Sequence, residues 1–138
     1  MLLDSHRPLD LVAVLLGTND PKARFAVSAL EIALSAERLV AAVRASDAGP
    51  DRGAPAVLLI ALPPILDSGW PAAMFAGGAA KSAALGAAMA EVAARQGVAF
   101  LDAGAVIVSD PLDGIHWSAE SHARLGAAVA GTIARHWP

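Results

Sequence analysis

Three polar clusters in this chain combine side chains able to do chemistry, and each follows an apolar run. Thr18-Asn19-Asp20 comes directly after Asp10–Gly17 (DLVAVLLG). Asn19 offers a neutral amide N–H, and a donor at such a position can stabilise a developing oxyanion. The same residues also fit a plain strand-to-helix turn capped by Asp20. The second cluster is Asp113-Gly114-Ile115-His116. In a turn, a carboxylate at this spacing can accept from the imidazole Nδ1–H. That contact fixes the tautomer and leaves Nε2 available as a general base. A surface turn beside a helix start is the plainer account of so short a motif. The third is Asp67-Ser68-Gly69-Trp70. Ser68 can act as a nucleophile only if a base reaches it; shaping a loop is its plainer role.

Other histidines carry less. His6 lies in the N-terminal stretch, His122 within the final helical segment, and His136 in its last turn, where a cation suits the helix dipole. No HExxH, phosphate-cradling GxxxxGK or GxGxxG segment occurs. There is also no GxSxG elbow. The chain has no cysteine, which excludes disulfides and thiolate metal sites. Neither a metal centre nor a cofactor is expected.

The elements that must position these clusters alternate. Asp10–Gly17 is continuously apolar, the pattern of a strand buried on both faces of a parallel sheet. Asp20-Pro21 then predicts a helix start, with the helix running to about Ser46 and Phe25, Ala29, Ile32, Ala36, Leu39 and Val43 on one face. Asp47–Pro55 reads as a polar linker, and Ala56–Leu62 as a second buried strand ended by Pro63-Pro64. Ile65–Gly78 reads as a loop too apolar to be merely solvated, hence a lid or pocket wall. A helix from about Ala79 to Gly97, a strand Val98–Leu101 and a last helix capped by Ser118 complete a β-α-β-α-β-α order. This order implies an α/β fold with a parallel sheet, right-handed crossovers and helices on both faces. Ligand chemistry in such sheets gathers at the carboxyl ends of the strands.

Composition bounds the rest. At 138 residues the chain makes a single domain, and 56% hydrophobic residues exclude intrinsic disorder. Mean hydropathy is +0.53, yet no apolar run reaches the roughly 20 residues of a membrane span. A net charge of −3 provides no basic footprint for nucleic acid. The N-terminus has neither signal- nor transit-peptide character, so the expected location is the cytoplasm, with no nucleic-acid or membrane partner.

Taken together and in this order, LLGTND after a buried strand and DGIHW before the last helix resemble the third and fifth sequence blocks of the SGNH hydrolase superfamily, the GDSL esterases. With PLDLVAVLLGTND, PPILDSGW, FAGGAAKS and FLDAGAVIVSDPLDGIHW, the chain is most similar to the bacterial arylesterase/acyltransferase branch. The likeness spans nearly the whole chain from Arg7 onward. It implies a flavodoxin-like three-layer α/β fold, with about three β-α units of the family's five-stranded sheet present. It implies an ester hydrolase in which Asn19 donates to the oxyanion, His116 is the general base and Asp113 orients it. Trp70, Pro71, Met74, Phe75 and Ile115 would line a pocket for a small ester or alcohol. A pocket so apolar can favour an alcohol over water as acyl acceptor, which gives acyl transfer beside hydrolysis.

The chain departs from the family pattern in its first two blocks. No Gly-Asp-Ser nucleophile segment occurs, nor the block supplying an oxyanion-hole glycine. By this likeness residues 1–138 are one SGNH-like domain truncated at its N-terminus, beginning near the family's third strand. Two consequences are expected. The free edge of the first strand calls for a cover: a second copy in a homo-oligomer, a complementing N-terminal segment, or the chain's own N-terminal residues folded back. Strong hydrolysis would need a surrogate nucleophile, for which Ser68 is the first candidate. The competing reading is a catalytically dead fragment that acts only as a folded, assembling subunit. A plain flavodoxin-like binding module leaves the joint occurrence of LLGTND and DGIHW unexplained.

Overall fold

Alternating apolar runs and amphipathic segments fold into one parallel sheet covered on both faces. The computed structural model describes residues 3–137. Strands β1 (Leu11–Val14), β2 (Ala56–Ala61) and β3 (Ala99–Asp102) lie side by side in the order β1-β2-β3. Leu11 is in register with Ala56, and Leu58 with Ala99. The helices are α1 (Ala29–Arg44), α2 (Gly78–Ala83), α3 (Leu85–Gln96) and α4 (Ala119–His136).

Central strand β2 explains the layering. Its side chains alternate between two cores, as the strand period requires. Val57, Leu59 and Ala61 pack with Ile32, Val40, Met89 and Val92 of α1 and α3. Leu58 and Ile60 face the other way, against Ile107 and Leu125, with Val129 and Ile133 of α4 at the margin. Both Leu58 and Leu59 are fully buried. Each such leucine contributes about 1.5–3 kcal/mol through removal from water. The three-layer α/β expectation therefore holds, with α1 and α3 on one face and α4 on the other.

Strand β1 departs from its pattern. Its run of apolar residues predicts burial on both faces, but only Val14 is buried and Ala13 is exposed. The reason is its place in the sheet: among the described residues β1 pairs with β2 alone, so its other edge is open there. A groove of about 410 Å³ runs beside this edge between the end of β1 and α1. Leu16 and Leu39 line it, and both are exposed.

Helix α1 also begins later than Asp20-Pro21 predicts. Pro21 is buried in a turn, and Ala23–Phe25 forms one short 3-10 turn that ends at Ala26 in the left-handed region. The helix starts where Ser28 and Glu31 cap each other. Ser28 Oγ accepts from the Glu31 N–H at 3.2 Å, and Glu31 Oε2 accepts from the Ser28 N–H at 2.7 Å. This reciprocal cap satisfies two donors that a helix start leaves unpaired, and Asp20 has no such partner. Phe25 consequently lies off the helix and is exposed, as is Leu39, while Val40 takes the buried position. The second predicted helix is divided at Ala84 into α2 and α3. Ser118 caps α4 as expected, accepting from the Ser121 N–H at 3.1 Å. Among the described residues, no helix is long and apolar enough to cross a membrane.

Candidate active site

The carboxyl ends of all three strands open onto one cleft of about 390 Å³. The turn after β1 brings Thr18, Asn19 and Lys22 to it; the loop after β2 brings Trp70, Pro71, Met74 and Phe75; the segment after β3 brings Ile115, His116 and Trp117. A parallel sheet concentrates side chains here because every crossover leaves from the same end.

The Asp113–His116 pair is built by a tight turn. Asp113 Oδ1 accepts from the backbone N–H groups of both Ile115 and His116 at 2.9 Å. That leaves Oδ2 to meet His116 Nδ1 at 2.5 Å. These hydrogen bonds, the His116 backbone N–H first, hold the Asp113 carboxyl down at about 2 from its ordinary 3.8. The Asp113 side chain is 15% exposed and that of His116 is 77% exposed, so the imidazole reaches outward from an anchored carboxylate. With Nδ1 held, Nε2 is the ring nitrogen left for the cleft. An imidazole oriented in this way can take a proton from a bound group.

Two loops fix the pair by lying backbone to backbone. The Leu66 N–H donates to the Gly114 carbonyl at 2.8 Å, and Ser68 Oγ donates to the Pro111 carbonyl at 3.1 Å. Buried Ser109 ties the same loops at their base, its hydroxyl donating to the Pro64 carbonyl at 3.0 Å. Gly69 and Gly114 permit the approach. Both have φ above +70°, and a Cβ on either would stand 2.4 Å from a carbonyl oxygen of the other loop.

Asn19 sits in a turn where the Asp20 N–H donates to the Gly17 carbonyl and the Lys22 N–H to the Asn19 carbonyl. Its side-chain amide is exposed and makes no hydrogen bond within the described residues, so it is available to a bound group. Phe75 is buried and Pro71 fully so; they form the floor, while Trp70, 78% exposed, stands at the rim.

The sequence-predicted residues are brought together with one exception. Asn19, His116 and the five predicted lining residues share the cleft, and Asp113 supports His116 from behind. Ser68 is not among the cleft residues, and its hydroxyl is engaged with Pro111 rather than with a histidine. Thr18, Lys22, Trp117 and His122 line the cleft without having been predicted to do so. Thr18, Lys22 and Trp117 stand beside predicted residues, which was the available signal. His122 gave none: it reaches the cleft because α4 starts next to it, with its ring 5.4 Å from that of Trp117. Among the described residues, no group of His, Asp and Glu side chains is placed to hold a metal ion.

The chain belongs to the GDSL-like lipase/acylhydrolase family, whose pattern it matches over residues 2–124. Est24, a carbohydrate acetylesterase from Sinorhizobium meliloti, is 41% identical, with a TM-score of 0.93 over 99% of this chain. The inhibitor-bound aryl esterase of M. smegmatis is 38% identical, with a TM-score of 0.91 over 97% of this chain. This chain spans only 65% of the first structure and 64% of the second. No curated protein sequence matches the chain significantly.

Two expectations follow from the loop geometry and the carboxylate. Gly114→Ala forces a side chain against the Leu66 carbonyl at positive φ; we expect a loss of about 2 kcal/mol or more in urea unfolding. Because the folded-state value of Asp113 lies below the ordinary 3.8, the ionised carboxylate favours the folded chain at higher pH and that contribution is lost as pH falls towards about 2. The stability difference between wild type and Asp113→Asn should therefore narrow between about pH 4.5 and pH 2, read by urea titration at each pH.

Proposed function

We propose that this cleft is the reaction site of a carboxylic-ester hydrolase of arylesterase and acyltransferase type, acting on small esters and alcohols. The observation that carries the reading is the 2.5 Å contact between His116 Nδ1 and Asp113 Oδ2, with the imidazole lining an apolar cleft that also holds Asn19. In this reading His116 is the general base, Asp113 holds its tautomer and stabilises the imidazolium, and Asn19 donates to the oxyanion. The walls formed by Trp70, Pro71, Met74, Phe75 and Ile115 hold the acyl and alcohol groups.

The chain contains no Gly-Asp-Ser segment, and the Ser68 hydroxyl is engaged elsewhere. In this chain alone the nucleophile is therefore water. His116 Nε2 takes a proton as the water oxygen bonds to the ester carbonyl carbon. The resulting oxyanion collapses, the carbon–alkoxide bond breaks, and the imidazolium returns the proton to the leaving alcohol. An alcohol bound against the apolar walls can replace water and yield the exchanged ester. No cofactor enters these steps. Catalysis of this kind is slow, of the order of 10³–10⁴ over uncatalysed hydrolysis when a triad lacks its nucleophile.

The test is turnover of p-nitrophenyl acetate. We expect slow hydrolysis that His116→Ala abolishes and Ser68→Ala leaves in place, with no labelling by a fluorophosphonate probe. Hydrolysis indifferent to His116→Ala removes the base role. Labelling lost in Ser68→Ala makes Ser68 the nucleophile after all.

A second reading is favoured by the open edge of β1: the chain is a folded subunit completed by another polypeptide segment. The groove beside β1 shares Thr18 and Asn19 with the cleft, so an extended segment added parallel to β1 would end beside the oxyanion donor. The solved relatives contain about half as much chain again. Such a segment would pair the free β1 edge, cover Leu16 and Leu39, and bring a serine to His116. Without it, the exposed edge should drive self-association. Sedimentation of the purified chain is expected to show species above the monomer, shifted towards monomer by Leu39→Glu. A stable, monodisperse monomer overturns this reading.

A further inference from the structure

The ionisable side chains that line the cleft are all basic: Lys22, His116 and His122. Over the whole chain 13 acidic residues stand against 10 Lys and Arg and 4 His, so the two signs are nearly balanced, whereas no carboxylate lines the cleft among the described residues. Beside the cleft lies a separate hollow of about 260 Å³ that shares Lys22 and Met74 with it and adds Ala23, Arg24 and Ala73. Neither cation has a carboxylate partner among the described residues. Both are instead held by aromatic faces. Lys22 Nζ stands 5.4 Å from the centre of the buried Phe75 ring, and the Arg24 guanidinium 4.9 Å from that of Phe25. These contacts place the charges without neutralising them.

Local structure fixes where they stand. The Lys22 N–H donates to the Asn19 carbonyl at 3.3 Å, and Pro21 between them is fully buried. Lys22 therefore belongs to the same rigid turn as the proposed oxyanion donor. Arg24 follows on the short turn Ala23–Phe25, closed by the Ala26 N–H on the Ala23 carbonyl at 3.1 Å.

We infer that the hollow bounded by Lys22, Arg24 and Met74 is an anion subsite, and that this cleft selects esters carrying an anionic group at the end remote from the ester carbonyl. The inference rests on the ester-site reading, and it names the substrate class for that site. A ligand with its carbonyl at Asn19 and His116 and its apolar body on Phe75 and Met74 has its far end directed to the two cations. The hollow is open to solvent, its lining exposed apart from half-buried Lys22, so a carboxylate there gains both charges through an attraction that salt screens. A neutral end gains neither, and a cationic end is repelled.

The test uses amide analogues, which read binding without turnover. We expect 4-acetamidobenzoate to bind about three- to tenfold more tightly than the near-isosteric neutral 4-acetamidobenzamide, and 4-acetamidobenzylamine to bind more weakly than either, followed by chemical-shift titration. The preference should shrink as NaCl is raised from about 50 to 500 mM, because added salt screens partly exposed charges. The double variant Lys22→Gln/Arg24→Gln should abolish it. Equal binding of benzoate and benzamide, a preference that survives the double variant, or no binding of any probe overturns the subsite. The ester-site reading fails separately. A preference for the anion without His116-dependent hydrolysis of 4-acetoxybenzoate overturns that reading and keeps the subsite, while such hydrolysis without the preference does the reverse.

Discussion

The backbone-to-backbone seating of two loops, after β2 and after β3, decides most of what the cleft contains. Gly69 stands where a Cβ would collide with Leu112, and Gly114 where one would collide with Leu66. Each loop thereby limits the position of the other. One carries the apolar wall from Trp70 to Phe75, and the other carries Asp113 and His116. The imidazole is thus positioned against its wall by backbone contacts rather than by its own exposed side chain. Hydrogen bonds from Ser68 and Ser109 to carbonyls of the partner loop hold the seating, so the hydroxyl that looks most like a nucleophile acts as a structural tie. Nearby, Asp113 is kept ionised by two backbone N–H groups and the imidazole, which gives the pair its direction.

The sheet imposes the second constraint. Its central strand has two neighbours and two covered faces, while β1 has one neighbour and one buried residue. The same edge position that leaves one side of β1 without a strand among the described residues also leaves Asn19 beside an open groove. The proposed reaction site and the free sheet edge therefore meet at one place. A base and an amide donor lie in the cleft, and the free sheet edge is next to them. Slow water activation and completion by a further segment are the two readings proposed for this one geometry.

Charge is distributed unevenly around the site. The Asp113 carboxylate stands behind the imidazole, and the ionisable side chains that line the cleft are basic. Cations held over aromatic rings keep their charge available, whereas cations paired with carboxylates, such as Arg95 with Glu37 on α3 and α1, do not.

Much of this was legible in the sequence. Apolar runs bounded by prolines and glycines marked the strands, and Ser118 marked the start of α4. The spacing of Asp113 and His116 sufficed for their contact, since it lies within one turn. These features are local, so residue type and spacing determine them. The α1 boundary differs from the sequence expectation because Asp20-Pro21 and Ser28-Glu31 both carry helix-start signals, and the reciprocal cap prevails. Only the tertiary structure decided the rest: that Ser68 is spent on Pro111, that Arg24 lines a hollow beside Met74, and that His122 stands at the cleft. Each depends on which distant segments pack together, and a side chain's partner across such a contact is set by the sheet and its crossovers rather than by its neighbours in the chain.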